Sequence, residues 1–135
     1  MQIHLQEILK RILYKFNLIA DYVIEYGTDG IWAYEKCASG KAACSGVVSV
    51  SVTAWTAWGY SYEGNPVGQQ AFPIGLFTND KITFHVTGSY PGGLLGVETM
   101  YTVTATKTPV MYPLRPTGGG TGTIYLGMEA IGRWK

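Results

Sequence analysis

From Ile31 to Ile131 short runs alternate apolar with polar residues, and glycine, proline, asparagine or serine interrupts them at intervals of about ten residues. This two-residue period constrains the fold more than any other feature, because it turns one face of each segment toward a core and the other toward water. Ile31 to Cys37 sets Trp32, Tyr34 and Lys36 against Ile31, Ala33, Glu35 and Cys37, and Ala38-Ser39-Gly40 supplies a turn into Lys41 to Ser45, which reads as a hairpin. Val47 to Tyr62 places Val48, Val50, Val52 and Ala54 opposite Ser49, Ser51, Thr53 and Trp55, as one long strand or two bent near Gly59. Glu63 to Gln70 reads as a loop. Lys81 to Thr87 is a strand with Ile82, Phe84 and Val86 inward; Leu94 to Thr106 holds one or two more, Lys107 to Pro116 is irregular, and a last strand follows the glycine run from Thr123 to about Ile131. Six to eight antiparallel strands with turns between them predict a mainly β chain built as a β-sandwich.

The N-terminal stretch follows a different period. Leu5, Leu9, Ile12, Phe16, Ile19 and Val23 are spaced 4, 3, 4, 3 and 4 residues apart, the repeat of a left-handed coiled-coil seam, within a predicted helix from Gln2 to about Tyr22. Leu9, Phe16 and Val23 at a positions with Leu5, Ile12 and Ile19 at d lean toward three or four strands. Ile8 and Leu13 widen the stripe, so one amphipathic helix lying on its own domain is the alternative. The chain divides accordingly into a helix over 1–22 and a β domain over 23–135.

Of the 135 residues only 14% are charged, with a net charge of +1, which gives no electrostatic reason to expect nucleic acid or an anionic membrane as partner. Glu7, Lys10, Arg11, Lys15 and Asp21 interrupt the opening segment, so no membrane insertion is expected, and no signal-peptide pattern is present. Synthesis in a bacterial cytoplasm without export is the corresponding expectation. Cys37 and Cys44 are too few for a disulfide scaffold; in a tight hairpin they are expected on one face but diagonal, as two packed free thiols.

Two motifs bracket the β region. Gly30-Ile31-Trp32-Ala33-Tyr34-Glu35-Lys36-Cys37-Ala38-Ser39-Gly40-Lys41-Ala42-Ala43-Cys44, preceded by Asp21 to Thr28, resembles the start of small phage and prophage tail or tail-fibre domains. The closing Ala130-Ile131-Gly132-Arg133-Trp134-Lys135 resembles the end of the same domains. The resemblance implies a lectin-like β-sandwich that assembles as a homotrimer at the distal end of a phage fibre or baseplate and contacts the host surface. It therefore implies the virion as location, with other tail or baseplate proteins and a host surface glycan as partners. Cys37, Ala43 and Ser45 stand where the family often carries Trp, Glu and Trp, so no binding residue is carried over from this hairpin.

Catalysis has little support. His4 and His85 read as structural or exposed, and Glu63, Asp80, Glu98 and Glu129 show no spacing that brings two carboxylates to one substrate. Neither a nucleophile elbow nor a metal-ligand cluster is present, so no enzyme activity, metal or cofactor is expected. Gly118-Gly119-Gly120-Thr121-Gly122 leads into a strand, and so lacks the helix amides that hold phosphate. Binding has more support: Trp55, Trp58, Tyr60 and Tyr62 fall within eight residues beside a Gly/Pro loop, and flat rings with hydroxyls suit sugar faces. Tyr90 and Tyr112, each next to a proline, are further candidates, while Trp32, Tyr34 and Trp134 read as core or subunit packing. A purely structural tail component and a bacterial carbohydrate-binding module are the competing readings.

Overall fold

A computed structural model describes residues 5–12, 21–118 and 120–135. Among these the protein is mainly β, with one short helix at residues 5–12 and nine strands in two antiparallel sheets. The strands are β1 (Val23–Asp29), β2 (Trp32–Cys37), β3 (Lys41–Val52), β4 (Trp55–Trp58), β5 (Ser61–Gly64), β6 (Thr83–Ser89), β7 (Gly96–Met100), β8 (Val110–Arg115) and β9 (Gly122–Arg133). The larger sheet runs β1-β2-β3-β9-β6 and the smaller β4-β5-β8-β7.

The count exceeds the expected six to eight because two segments that carry turn residues are strands. Gly27-Thr28-Asp29 lies inside β1, where Gly27 faces the Tyr34 ring: a Cβ there would sit 3.0 Å from the Tyr34 hydroxyl. In β8, expected to be irregular, Pro113 pairs with Val97 of β7, while the β5 ladder consists of Tyr62↔Arg115 and Glu63↔Leu114 and does not reach the proline. The long alternating stretch divides differently from expectation as well. Val47 to Val52 belongs to β3, and the hairpin β4–β5 turns at Gly59-Tyr60.

One buried cluster joins the two sheets. Trp32, Ala42, Cys44, Val52, Ile124, Leu126, Met128 and Ala130 come from the larger sheet and Met111 from the smaller, with Trp55 and Val97 packed against them. The remaining bulk comes from chain outside the named strands, where Val67, Phe72, Leu76 and Phe77 are all buried. Phe72 lies 5.3 Å from Trp32 and 5.1 Å from Phe77 between ring centres, and Trp32 Nε1 donates to the Ala71 carbonyl at 2.7 Å. The partner of Trp32 across the hairpin is Gly46, where a Cβ would come within 2.5 Å of the Ile31 carbonyl oxygen and 3.1 Å of the Trp32 ring. Only glycine admits the indole there.

The thiols do not share a face. Cys44 pairs with Tyr34, three residues from Cys37, so strand alternation sends the two side chains to opposite sides. Both are free and buried. Burial pushes the Cys44 thiol up to about 12 and raises that of Cys37 as well. Since the thiolate is the reactive form, Ellman's reagent at neutral pH is expected to label neither cysteine in the native protein and both after unfolding. Rapid labelling of the folded chain would contradict the packing at these two positions.

All eight residues of the helix at 5–12 are exposed in the single chain, its apolar stripe Leu5, Ile8, Leu9 and Ile12 included. The expected rungs Phe16 and Ile19 lie outside the described residues. Val23 is not helical: it opens β1 opposite Cys37, as its β-branched neighbour Ile24 favours, and so cannot serve as a seam position. No helix among the described residues is long and apolar enough to cross a membrane.

Candidate functional site

The axis of the domain is the β3–β9 ladder, twelve consecutive pairs from Lys41↔Arg133 to Val52↔Gly122. At strand rise this spans about 37 Å, so its two ends are separate places on the surface.

The first end is where the two bracketing motifs meet. Gly40, at φ +103°, closes the β2–β3 turn, a conformation that suits glycine. Around it Arg133 Nη2 donates to the Ser39 carbonyl at 2.8 Å, Trp134 N–H donates to the Gly40 carbonyl at 2.9 Å, and Trp134 Nε1 donates to the Cys37 carbonyl at 2.8 Å. The closing hexapeptide thus clasps the hairpin turn, and the pattern shared by both motifs is a structural lock. The segment arriving from the N-terminus is fastened to the same turn. Ser39 N–H donates to Asp21 Oδ1 at 3.1 Å, the Ser39 hydroxyl donates to Asp21 Oδ2, and Ala38 N–H donates to the Tyr22 carbonyl at 3.0 Å.

The Ser39 hydroxyl, helped by its amide and by Lys41 and Arg133, holds the Asp21 carboxyl below its ordinary value. A depressed carboxylate contributes above its ordinary pKa, and its contribution is lost as pH falls through the lowered one. Protection of the Ser39 amide, taken relative to the intrinsic exchange rate at each pH, is therefore expected to fall only in acid below that ordinary value, and Asp21→Asn is expected to remove that fall. An amide whose protection is flat down to complete protonation would refute the anchor.

At the opposite end the aromatic candidates separate into two groups. Trp55 and Trp58 are three apart on β4 and leave it on opposite faces; Trp55 packs toward the core, while Trp58 is 53% exposed. Tyr60 stands fully exposed at the hairpin tip. Tyr62, Trp55 and Tyr90 converge instead on Arg115, which the sequence did not single out. Arg115 is the cross-strand partner of Tyr62, and its guanidinium carbon lies 4.6 Å from the Tyr90 ring centre and 5.6 Å from that of Trp55. Its Nε donates to the Leu94 carbonyl at 3.3 Å, and Trp55 Nε1 donates to the Gly120 carbonyl at 3.1 Å. Tyr112 does not join them: it lies three residues before Arg115 on β8, in the outward phase, near Met100 Sδ.

The four acids are not brought together. Glu63 and Glu98 flank β8 on the outer face of the smaller sheet, Glu129 lies on the outer face of the larger, and Asp80 accepts from the Ala105 amide at 2.7 Å. Glu129 pairs in register with Ser45 on one side and His85 on the other, yet no hydrogen bond links the three among the described residues. No group of three metal-ligating side chains occurs among the described residues. Comparison with protein-family models, with characterised proteins and with solved structures finds no match.

Proposed function

We propose that the chain is the distal part of a phage or prophage tail fibre or baseplate, a homotrimer that binds a host cell-surface glycan during adsorption. In this reading the helix forms a short three-stranded coiled coil, and the two sheets form a lectin-like β-sandwich. The observation that carries it is the polarity of the domain. The N-terminal segment is fastened at Asp21 and Tyr22 to one end of the twelve-pair ladder, while Trp58, Tyr60, Tyr62, Tyr90 and Trp55 gather at the other. A stalk entering at the first end presents the aromatic end outward. The exposed residues Leu5, Leu9 and Ile12 supply the seam, and the resemblance of the bracketing motifs to tail-fibre domains supplies the setting.

The rival is a purely structural tail component, favoured by the internal engagement of Trp55, Tyr62 and Tyr90 around Arg115. Trp58 and Tyr60 separate the two readings, because both are exposed and their truncation opens no cavity. Phage carrying the paired Trp58→Ala and Tyr60→Ala substitutions are expected to adsorb at least about tenfold more weakly, with thermal stability unchanged. Unchanged adsorption would favour the structural component.

A further inference from the structure

We propose that the glycan bound at the aromatic end carries a carboxylate, a uronate or sialate-type sugar, and that Arg115 is the group that receives it. This rests on the reading of that end as receptor-facing and adds the ligand's charge and its contact residue.

Three observations lead there. Arg115 is half-buried, yet no carboxylate lies within ion-pairing distance of it among the described residues, where the ion pairs are Lys10–Glu7 and Lys36–Glu25. A guanidinium withdrawn from water without an anion loses hydration that a carboxylate partner would replace. Second, only its Nε is used internally, on the Leu94 carbonyl; the four Nη hydrogens have no protein acceptor among the described residues. Two parallel N–H donors are the fork that binds a carboxylate in bidentate fashion.

Third, the group is positioned in advance. The rings of Tyr90 and Trp55 and the Leu94 carbonyl fix the guanidinium, so little side-chain freedom remains to be lost on binding. At Gly93 a Cβ would lie 2.9 Å from Nη2, so the absence of a side chain at that position leaves the nitrogen uncovered. Beyond Tyr62, the partner of Arg115, the same hairpin ends in Tyr60, a free ring for the C–H face of a pyranose. A carboxylate on Arg115 with the sugar ring toward Tyr60 uses both features, whereas a neutral sugar leaves the fork unfilled.

The test follows the Arg115 Nε–H resonance of the full-length protein by NMR during titration with glucuronate, galacturonate, N-acetylneuraminate, glucose and acetate. At least one acidic sugar is expected to shift it saturably in the millimolar range. Glucose should leave it unmoved, and acetate should bind at least about tenfold more weakly. Arg115→Lys keeps the charge without the fork and, followed by the backbone amide resonances of Gly93 and Leu94 in both proteins, is expected to weaken the acidic sugar by about tenfold or more. Tyr60→Ala, which leaves the guanidinium's contacts intact, is expected to weaken the sugar and spare acetate. No shift with any acidic sugar, equal response to glucose, or acetate as tight as the sugars would overturn the inference. Such a failure with adsorption still dependent on Trp58 and Tyr60 sinks the acidic ligand alone; a successful titration with adsorption indifferent to those residues sinks the receptor role alone.

Discussion

Replacing Trp32 by alanine is expected to lower the unfolding free energy by about 3–5 kcal/mol, the cost of removing a fully packed aromatic side chain from a core that cannot collapse around the space. The indole is 3% exposed, stacks at an angle on Phe72 and donates to the Ala71 carbonyl, so alanine removes packing and leaves that carbonyl without its donor. Against the roughly 5–15 kcal/mol that holds a domain of this size together, the variant would be marginal at 37 °C. Trp32→Phe separates the two contributions: it keeps most of the ring and loses the N–H, and should cost about 1–3 kcal/mol. Urea unfolding at fixed protein concentration measures both, with Trp58→Ala as an exposed control expected within about 0.5 kcal/mol of the parent. A Trp32→Ala protein as stable as that control would contradict the place of Trp32 at the centre of the core.

The second large effect concerns assembly. Sedimentation of the full chain is expected to give three copies, and of a shortened chain beginning at Asp21 a single copy, a threefold change in mass. Starting at Asp21 keeps the carboxylate that holds the Ser39 turn, so the β domain retains its anchor. The driving force assigned to the helix is burial of Leu5, Leu9 and Ile12, each at least half exposed in the single chain, at about 25 cal/mol per Å² of apolar surface. Leu9→Asp should act as the truncation does, by placing a charge in the seam. A full-length monomer sinks the trimer. A shortened chain that stays trimeric moves the interface from the helix to the β domain.

What the sequence discloses of this fold follows from how far each signal reaches along the chain. The β2–β3 hairpin and the strand through Phe84 and Val86 were legible because alternation and turn chemistry are local. β1 and β8 were not, since a glycine under the Tyr34 ring and a proline beyond the end of a ladder are acceptable only once their neighbours are known. Phe72, Leu76 and Phe77 supply core bulk from a segment with no periodicity, so nothing in the string marks them as central.

The candidate site divides in the same way. Aromatic residues beside a loop stand out by composition, and five of the six gather at one end, but which faces outward depends on strand phase. Arg115 stands in a stretch without apolar alternation, and only the register that sets it opposite Tyr62 and over Tyr90 gives it meaning. The two bracketing motifs were visible as separate strings, whereas their contact through Arg133, Ser39 and Gly40 is a fact of the folded chain.

The twelve-pair ladder also determines how the domain bears mechanical load. A pull between an attachment at Asp21 and a ligand held at the aromatic end runs parallel to β3 and β9. Force in that direction shears the cross-strand hydrogen bonds together, whereas a perpendicular pull would open them one after another. Unfolding under tension is a matter of rate. In a force spectrometer the domain should therefore resist extension along the strands, the direction of load under the proposed receptor-binding role, more strongly than extension across them.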